Sequence, residues 1–172
     1  DYAKGNRFCD FKALKSMPKM RLFGNSALSF LIKVSSGYWN IMDPTNGFTA
    51  INKSAVQGLD LDKLSQRYFF ESDMLINLNI ENAVVTDVSI PAKYEDEESS
   101  LSILKVLFDF PPKLARGFFK RVFFKYFIYD FNMASIYMII GFPMVLWGTL
   151  FGSYRWIIAI MENLENTTGT VM

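Results

Sequence analysis

Between Lys19 and Val34 apolar side chains recur at Leu22, Phe23, Ala27, Phe30, Leu31 and Val34. That spacing predicts an amphipathic helix lying on a core. A second helix is predicted over residues 62–78, with Leu64, Tyr68, Leu75 and Leu78 on its packed side and Asp60 or Asp62 as N-cap. Extended pieces flank both helices. Residues 2–8 read as a short strand carrying a glycine, residues 48–51 as a short strand or extended turn, and residues 83–90, β-branched and stopped by Pro91, as a strand.

Beyond Pro111 the pattern changes. Lys113, Arg116, Lys120, Arg121 and Lys125 are interleaved with Phe118, Phe119, Val122, Phe123, Phe124, Phe127 and Ile128. A cationic, phenylalanine-rich amphipathic segment of this kind suits a lipid headgroup layer, with its rings down and its ammonium groups toward anionic lipid. Residues 133–152 then run MASIYMIIGFPMVLWGTLFG without a charge. About 20 residues at a rise of ~1.5 Å cross a hydrocarbon layer of ~30 Å, so a transmembrane helix is predicted, with a kink at Pro143. The short apolar run 156–161 is read either as the start of a further membrane element or as an interfacial tail. The five cations on the N-terminal side, against Arg155 beyond, place residues 1–130 in the cytoplasm by the positive-inside rule.

Composition sharpens this picture. The 172 residues are 51% hydrophobic and 16% aromatic with net charge +1, too apolar for an ordinary soluble domain and without a general polyanion signal; nucleic acid is not an expected partner. The chain has no histidine and one cysteine, Cys9, which removes the commonest general base and argues against a structural zinc site or a disulfide framework. It starts at Asp1 on what reads as the end of a strand, and a fragment, inactive by itself, is expected.

The candidate chemistry centres on Asp43-Pro44-Thr45-Asn46-Gly47-Phe48. Asp43-Pro44 opens a turn and Asn46-Gly47 can supply the positive φ that closes it, so a carboxylate sits on a tight corner between apolar segments. The plainer reading is an Asx turn, in which Asp43 serves only its own backbone. Arg21, Asn25 and Ser29 fall four apart on one helix stripe, where a guanidinium and an amide could hold phosphate oxygens or simply face solvent. Arg67 and Glu71, at i and i+4, are either a helix-surface pair or, with Asp73, part of a site in which carboxylates orient hydroxyls and charge. The acidic run Glu95-Asp96-Glu97-Glu98 reads as a solvated loop before the next helix in preference to a cation site.

Taken together, Lys4-Gly5-Asn6-Arg7-Phe8, Arg21-Leu22-Phe23-Gly24-Asn25, the Asp43 to Phe48 corner, Arg67-Tyr68-Phe69-Phe70-Glu71-Ser72-Asp73-Met74 and the basic segment before a membrane helix resemble the second half of family 2 glycosyltransferases, in the polyprenyl-phosphate sugar synthase branch similar to dolichol-phosphate mannose synthase. The resemblance implies an α/β chain: residues 1–110 as the acceptor-side half of a GT-A (nucleotide-diphospho-sugar transferase) catalytic domain, 111–131 as an amphipathic juxtamembrane segment and 132–172 as a truncated transmembrane region. It implies an inverting hexosyltransferase on the cytoplasmic membrane that moves a sugar from a nucleotide-sugar donor to polyprenyl (undecaprenyl or dolichyl) phosphate in cell-envelope biosynthesis. A divalent cation, Mg or Mn, would be held mainly by residues of the missing N-terminal half, and homo-oligomers are compatible with the family. By match, Asp43, Glu71 and Asp73 are the expected catalytic residues, and Arg7, Arg21, Asn25, Asn46, Arg67 and Lys93 the expected substrate-binding ones. Lys93 stands in a stretch where the branch usually carries an arginine before Gly-x-Ser-Lys, a departure from the pattern. The alternatives are a transferase of the same fold that extends a surface polysaccharide on a sugar hydroxyl, and a membrane-anchored scaffold that does no chemistry.

Overall fold

A computed structural model describes residues 1–8, 19–90 and 103–161. The described chain is mixed α/β and mostly helical. In order it contains β1 (Tyr2–Asn6), α1 (Lys19–Ser36), β2 (Thr49–Ile51), α2 (Lys53–Gln57), 3-10 turns at Leu61–Lys63 and Arg67–Phe69, α3 (Phe70–Ile80), β3 (Val85–Ser89), α4 (Ile103–Phe123), a π-helical turn (Phe124–Tyr129) and α5 (Met133–Met161). It divides into two compact units, Asp1–Lys125 and Tyr126–Met172.

In the first unit β1 is the central strand of a three-stranded sheet ordered β2-β1-β3. It pairs antiparallel with β2, Lys4 opposite Thr49, and parallel with β3, Lys4 opposite Asp87. Tyr2, Ile32, Ile41, Leu59, Leu64, Phe69, Met74, Leu75, Leu78, Val85, Phe110 and Leu114 form the core, with Phe69 and Phe110 edge to face at 5.4 Å. Alternation along β1 puts Tyr2, Lys4 and Asn6 on one side, and all three are buried. Two polar side chains therefore occupy positions that a plain core would fill with apolar ones.

The second predicted helix starts later than its periodicity indicates. Arg67 has φ +62°, a left-handed conformation that breaks any helix running from residue 62, and α3 begins at Phe70. Asp60 flanks only the short turn Leu61–Lys63 and pairs with Lys63 at 2.6 Å.

Part of the basic segment turns inward. Arg121, 7% exposed, donates Nε–H to the Ser35 carbonyl at 2.8 Å and Nη2–H to that of Val34 at 3.2 Å, closing the C-terminus of α1. Gly37 completes that cap: its φ is +80°, its N–H reaches the Lys33 carbonyl, and a Cβ there would lie 2.7 Å from Arg121 Nη1. Lys125 donates to the Asn79 carbonyl and Oδ1 near the end of α3, and Lys120 to Asn77 Oδ1 at 2.7 Å. Arg116 and Lys113 stay exposed, as do Phe108, Phe119 and Phe123 on the same helix.

In the second unit α5 is a single helix of 29 residues through Pro143. Residues 156–161 continue it; they are neither a separate element nor a tail. It is the one helix among the described residues long and apolar enough to cross a membrane, and only 6% of its most apolar window is buried, unlike the core helix of a soluble domain.

Candidate functional site

The corner before β2 is held from three sides. Along β3, Tyr38 Oη donates to the Ala83 carbonyl, Asn40 Nδ2 to the Val85 carbonyl, and the Met42 N–H to Asp87 Oδ2 at 2.8 Å. Every second residue of the approach thus meets every second residue of the strand, a ladder built largely with side chains. From β1, the Gly5 N–H donates to the Phe48 carbonyl, and Asn46 Nδ2 donates back to the Gly5 carbonyl. A Cβ on Gly5 would lie 2.8 Å from Ile90 Cδ1 and 3.0 Å from Asn46 Nδ2, so a larger residue beneath the corner would have to displace the Ile90 side chain and crowd the Asn46 amide. Locally, the Asn46 N–H reaches the Asp43 carbonyl and Asn46 Oδ1 accepts from the Phe48 N–H. Neither Asn46 nor Gly47 has positive φ; the turn closes through the Asn46 side chain instead.

This frame buries Asp43 completely and hands it to Arg7. Arg7 Nε–H donates to Asp43 Oδ2 at 2.7 Å, Nη2–H to Oδ1 at 3.1 Å, and the Arg7 backbone N–H to Oδ2 at 3.3 Å. Thr45 Oγ1 adds a donor to Oδ1. Bidentate pairing of planar fork and carboxylate fixes both groups. The Arg7 side chain is nonetheless 33% exposed while that of Asp43 is 0% exposed, so Arg7 is the partly open member of the pair.

Behind it stands Lys4, fully buried, its Nζ donating to the Asn46 carbonyl at 2.7 Å. Burial lowers its ammonium to about 8, against the pull of Glu71, Asp43 and Asp87. Asp87 accepts from Asn6 Nδ2 and Met42 N–H through Oδ2, while its buried Oδ1 has no partner among the described residues. Burial raises the Asp87 carboxyl above its ordinary 3.8, and nearby Asp43 adds to the shift.

Of the residues expected from sequence, the structure brings Arg7, Asp43, Asn46 and Glu71 together; Glu71, in the first turn of α3, comes within 3.7 Å of where a Gly47 Cβ would be. Asp73 points elsewhere, since residues two apart on a helix face different ways. Its Oδ2 accepts from the Ser65 N–H at 2.7 Å and its Oδ1 from Asn77, bonds that anchor the chain leading into α3. Arg67 is exposed, lies before α3, and forms no ion pair with Glu71 among the described residues. Asn25 is half-buried on α1; Ser29 is buried in the stripe where a ligand face was expected. The Arg21 side chain, Lys93, the acidic run 95–98 and Cys9 lie outside the described residues. Lys4, Asn6 and Asp87 were not singled out by sequence reasoning; the signal was polar residues at the buried phase of β1, facing an aspartate at the same level of β3.

The described residues do not fit a divalent-cation site. No group of three or more acidic, cysteine or histidine side chains among them could hold a metal, and both Asp43 oxygens are taken by Arg7 and Thr45.

Comparison with known proteins gives two partial matches. A stretch of 96 residues, 56% of the chain, is 30% identical to the UDP-N-acetylglucosamine–dolichyl-phosphate N-acetylglucosaminyltransferase of Methanococcus voltae, covering 38% of that protein. A stretch of 100 residues, 58% of the chain, is 29% identical to an uncharacterized protein of Methanocaldococcus jannaschii, covering 41% of it. The chain is related to a glycosyltransferase. It spans about two fifths of the length of these curated relatives. No protein-family model and no solved structure matches it.

Proposed function

We propose that this chain forms the acceptor side of a membrane-bound inverting glycosyltransferase of GT-A type, which moves a sugar from a nucleotide-sugar donor to polyprenyl phosphate at the cytoplasmic face of the cell membrane. The observation that carries the reading is the Arg7–Asp43 pair: a guanidinium locked in register by a buried carboxylate, partly open to solvent, in a chain related to a lipid-phosphate glycosyltransferase. The apolar helix α5 and the exposed Arg116, Phe119 and Phe123 of α4 support a place at the bilayer surface.

A polyprenyl phosphate is a phosphate monoester whose second proton leaves near pH ~6, so it arrives as an anion and a strong general base is not needed. Arg7 would take its oxygens in fork geometry. A phosphate oxygen then attacks the anomeric carbon from the face opposite the leaving group; the new C–O bond forms, the bond to the nucleoside diphosphate breaks, and configuration inverts. Asp43 orients Arg7, and Glu71, beside Gly47, borders the acceptor's path. The divalent cation implied by the resemblance would be held by residues other than those described. Transfer of radiolabelled sugar by the intact membrane protein into polyprenyl phosphate, and not onto an oligosaccharide hydroxyl, tests the reading; label in the oligosaccharide alone would refute it.

A further inference from the structure

Of the six apolar positions whose spacing marks α1 as amphipathic, Phe23, Ala27, Phe30 and Leu31 are exposed and Leu22 and Val34 half-buried. Contact with the core comes from the opposite side of the helix, through Leu28 and Ile32. Positions 23, 27, 30, 31 and 34 form one stripe, so α1 carries an apolar face toward the outside as well as one toward the core. Phe23 is 72% exposed and Phe30 56%. On α4 the exposed Phe108, Pro112, Ala115, Phe119 and Phe123 likewise recur at spacings of three or four. The two stripes meet: Leu31 and Val34 of α1 and Pro111, Ala115, Phe118 and Phe119 of α4 line an open groove of about 240 Å³ between the helices. Their packing is fixed. Ser35 Oγ donates to the Leu114 carbonyl at 2.7 Å, Arg121 closes the end of α1, and Gly117 lets the helices approach, a Cβ there standing 3.3 Å from Ser35 Oγ. Beyond the α1 stripe the exposed Trp39 packs edge to face on Phe30 at 6.0 Å, four residues before Asp43.

A continuous exposed apolar face marks an interaction site, and the charges around this one select its occupant. Helix α1 holds Lys19, Arg21 and Lys33 and no acidic residue, and α4 holds five cations against Asp109 alone, in a chain of net charge +1. Cations beside aromatic and branched side chains, with a tryptophan at the edge, match the layer between the headgroups and acyl chains of an anionic bilayer. The same chain already calls for a bilayer through α5. We propose that the outer stripes of α1 and α4 form one lipid-docking platform, in which both helices lie along the bilayer surface with their rings among the upper acyl chains and Lys33 and Arg116 at the flanks, toward anionic headgroups. The platform stands on the fold alone; that it brings the Asp43 corner, which follows Trp39, to the level of a lipid-borne phosphate rests on the function proposed above.

The test is fluorescence of the full chain in nanodiscs of phosphatidylcholine and phosphatidylglycerol whose acyl chains carry bromine near the glycerol end, with Trp147→Phe and Trp156→Phe leaving Trp39 as the sole tryptophan. The expected result is that bromine quenches Trp39 and aqueous iodide does not. A reporter moved toward the other end of α1, by Phe23→Trp with Trp39→Phe, behaves the same way, because the whole helix lies in lipid. Adding Phe30→Glu and Leu31→Glu to the Trp39 reporter reverses the order, iodide then quenching more than bromine, with far-UV circular dichroism unchanged because both side chains are exposed. Should that variant fail to fold, the two reporters without it decide. Stronger quenching by iodide than by bromine at either reporter overturns the proposal, as does a folded Phe30→Glu, Leu31→Glu variant that still favours bromine. Protection from both quenchers overturns it too, since a second copy of this chain or another protein would then cover the stripe. A label at Phe119→Cys separates this proposal from the function proposed above: lipid at 119 with water at 23 and 39 removes the platform alone, and water at all three removes the proposed place at the bilayer with it.

Discussion

Burial lowers the Lys4 ammonium to about 8 and raises the Asp87 carboxyl above 3.8, so the two residues give folding opposite pH dependences. The unfolded chain keeps the Lys4 proton up to its ordinary 10.5 while the folded chain releases it near 8; stability therefore rises as pH climbs from 8 toward 10.5. Folded Asp87 keeps its proton above the unfolded value, and its contribution falls as pH rises from 3.8 through the raised value. The difference in melting temperature between the natural sequence and Lys4→Met, followed by far-UV circular dichroism, should accordingly change across the alkaline window; a constant difference contradicts the burial account. At this scale turn chemistry and motif mark Asp43, Arg7 and Glu71, and the structure places them near one corner. The sequence hid Lys4 and Asp87, because a lysine reads as surface by composition, and only the phase of β1 turns it inward. Its motif does not show that the Asp73 carboxylate accepts from the Ser65 N–H once α3 starts at Phe70.

At the scale of elements, the basic run on α4 was legible as cationic but not in its direction. Periodicity gives a face, and which helix ends lie against that face is a tertiary fact. Arg121 and Lys125 serve the C-termini of α1 and α3, which leaves Lys113, Arg116 and Lys120 exposed on the helix that carries Phe119 and Phe123. Arg121→Ala should then destabilise the first unit by about 1–3 kcal/mol, since buried carbonyls lose a charged donor. Denaturant unfolding checks this, and a loss comparable to that of an exposed-site change such as Arg116→Ala would contradict it. Conversely, a spin label at Phe119→Cys, in a Cys9→Ser background, should be more accessible to lipid-soluble oxygen than to an aqueous quencher; the reverse order would place α4 away from lipid.

On the scale of the molecule, α5 is ~44 Å long at ~1.5 Å per residue, more than the ~30 Å of a hydrocarbon layer. Arg155 lies ~33 Å from Met133 along it, just past that thickness, where an arginine can reach the far headgroups. The helix was plain from the uncharged run 133–152, and its continuation to Met161 was not, because Arg155 interrupts the apolar pattern without breaking the helix. In chain order the charged corner precedes this long apolar helix, as the proposed chemistry on a lipid-borne phosphate needs. The most direct test is transfer of labelled sugar from nucleotide sugar into extractable polyprenyl phosphate by the intact membrane protein, with and without Asp43→Asn. The account predicts labelled lipid from the natural protein and a fall of ~10²-fold or more when Asp43 can no longer hold Arg7 with a charge; undiminished transfer by Asp43→Asn would contradict it.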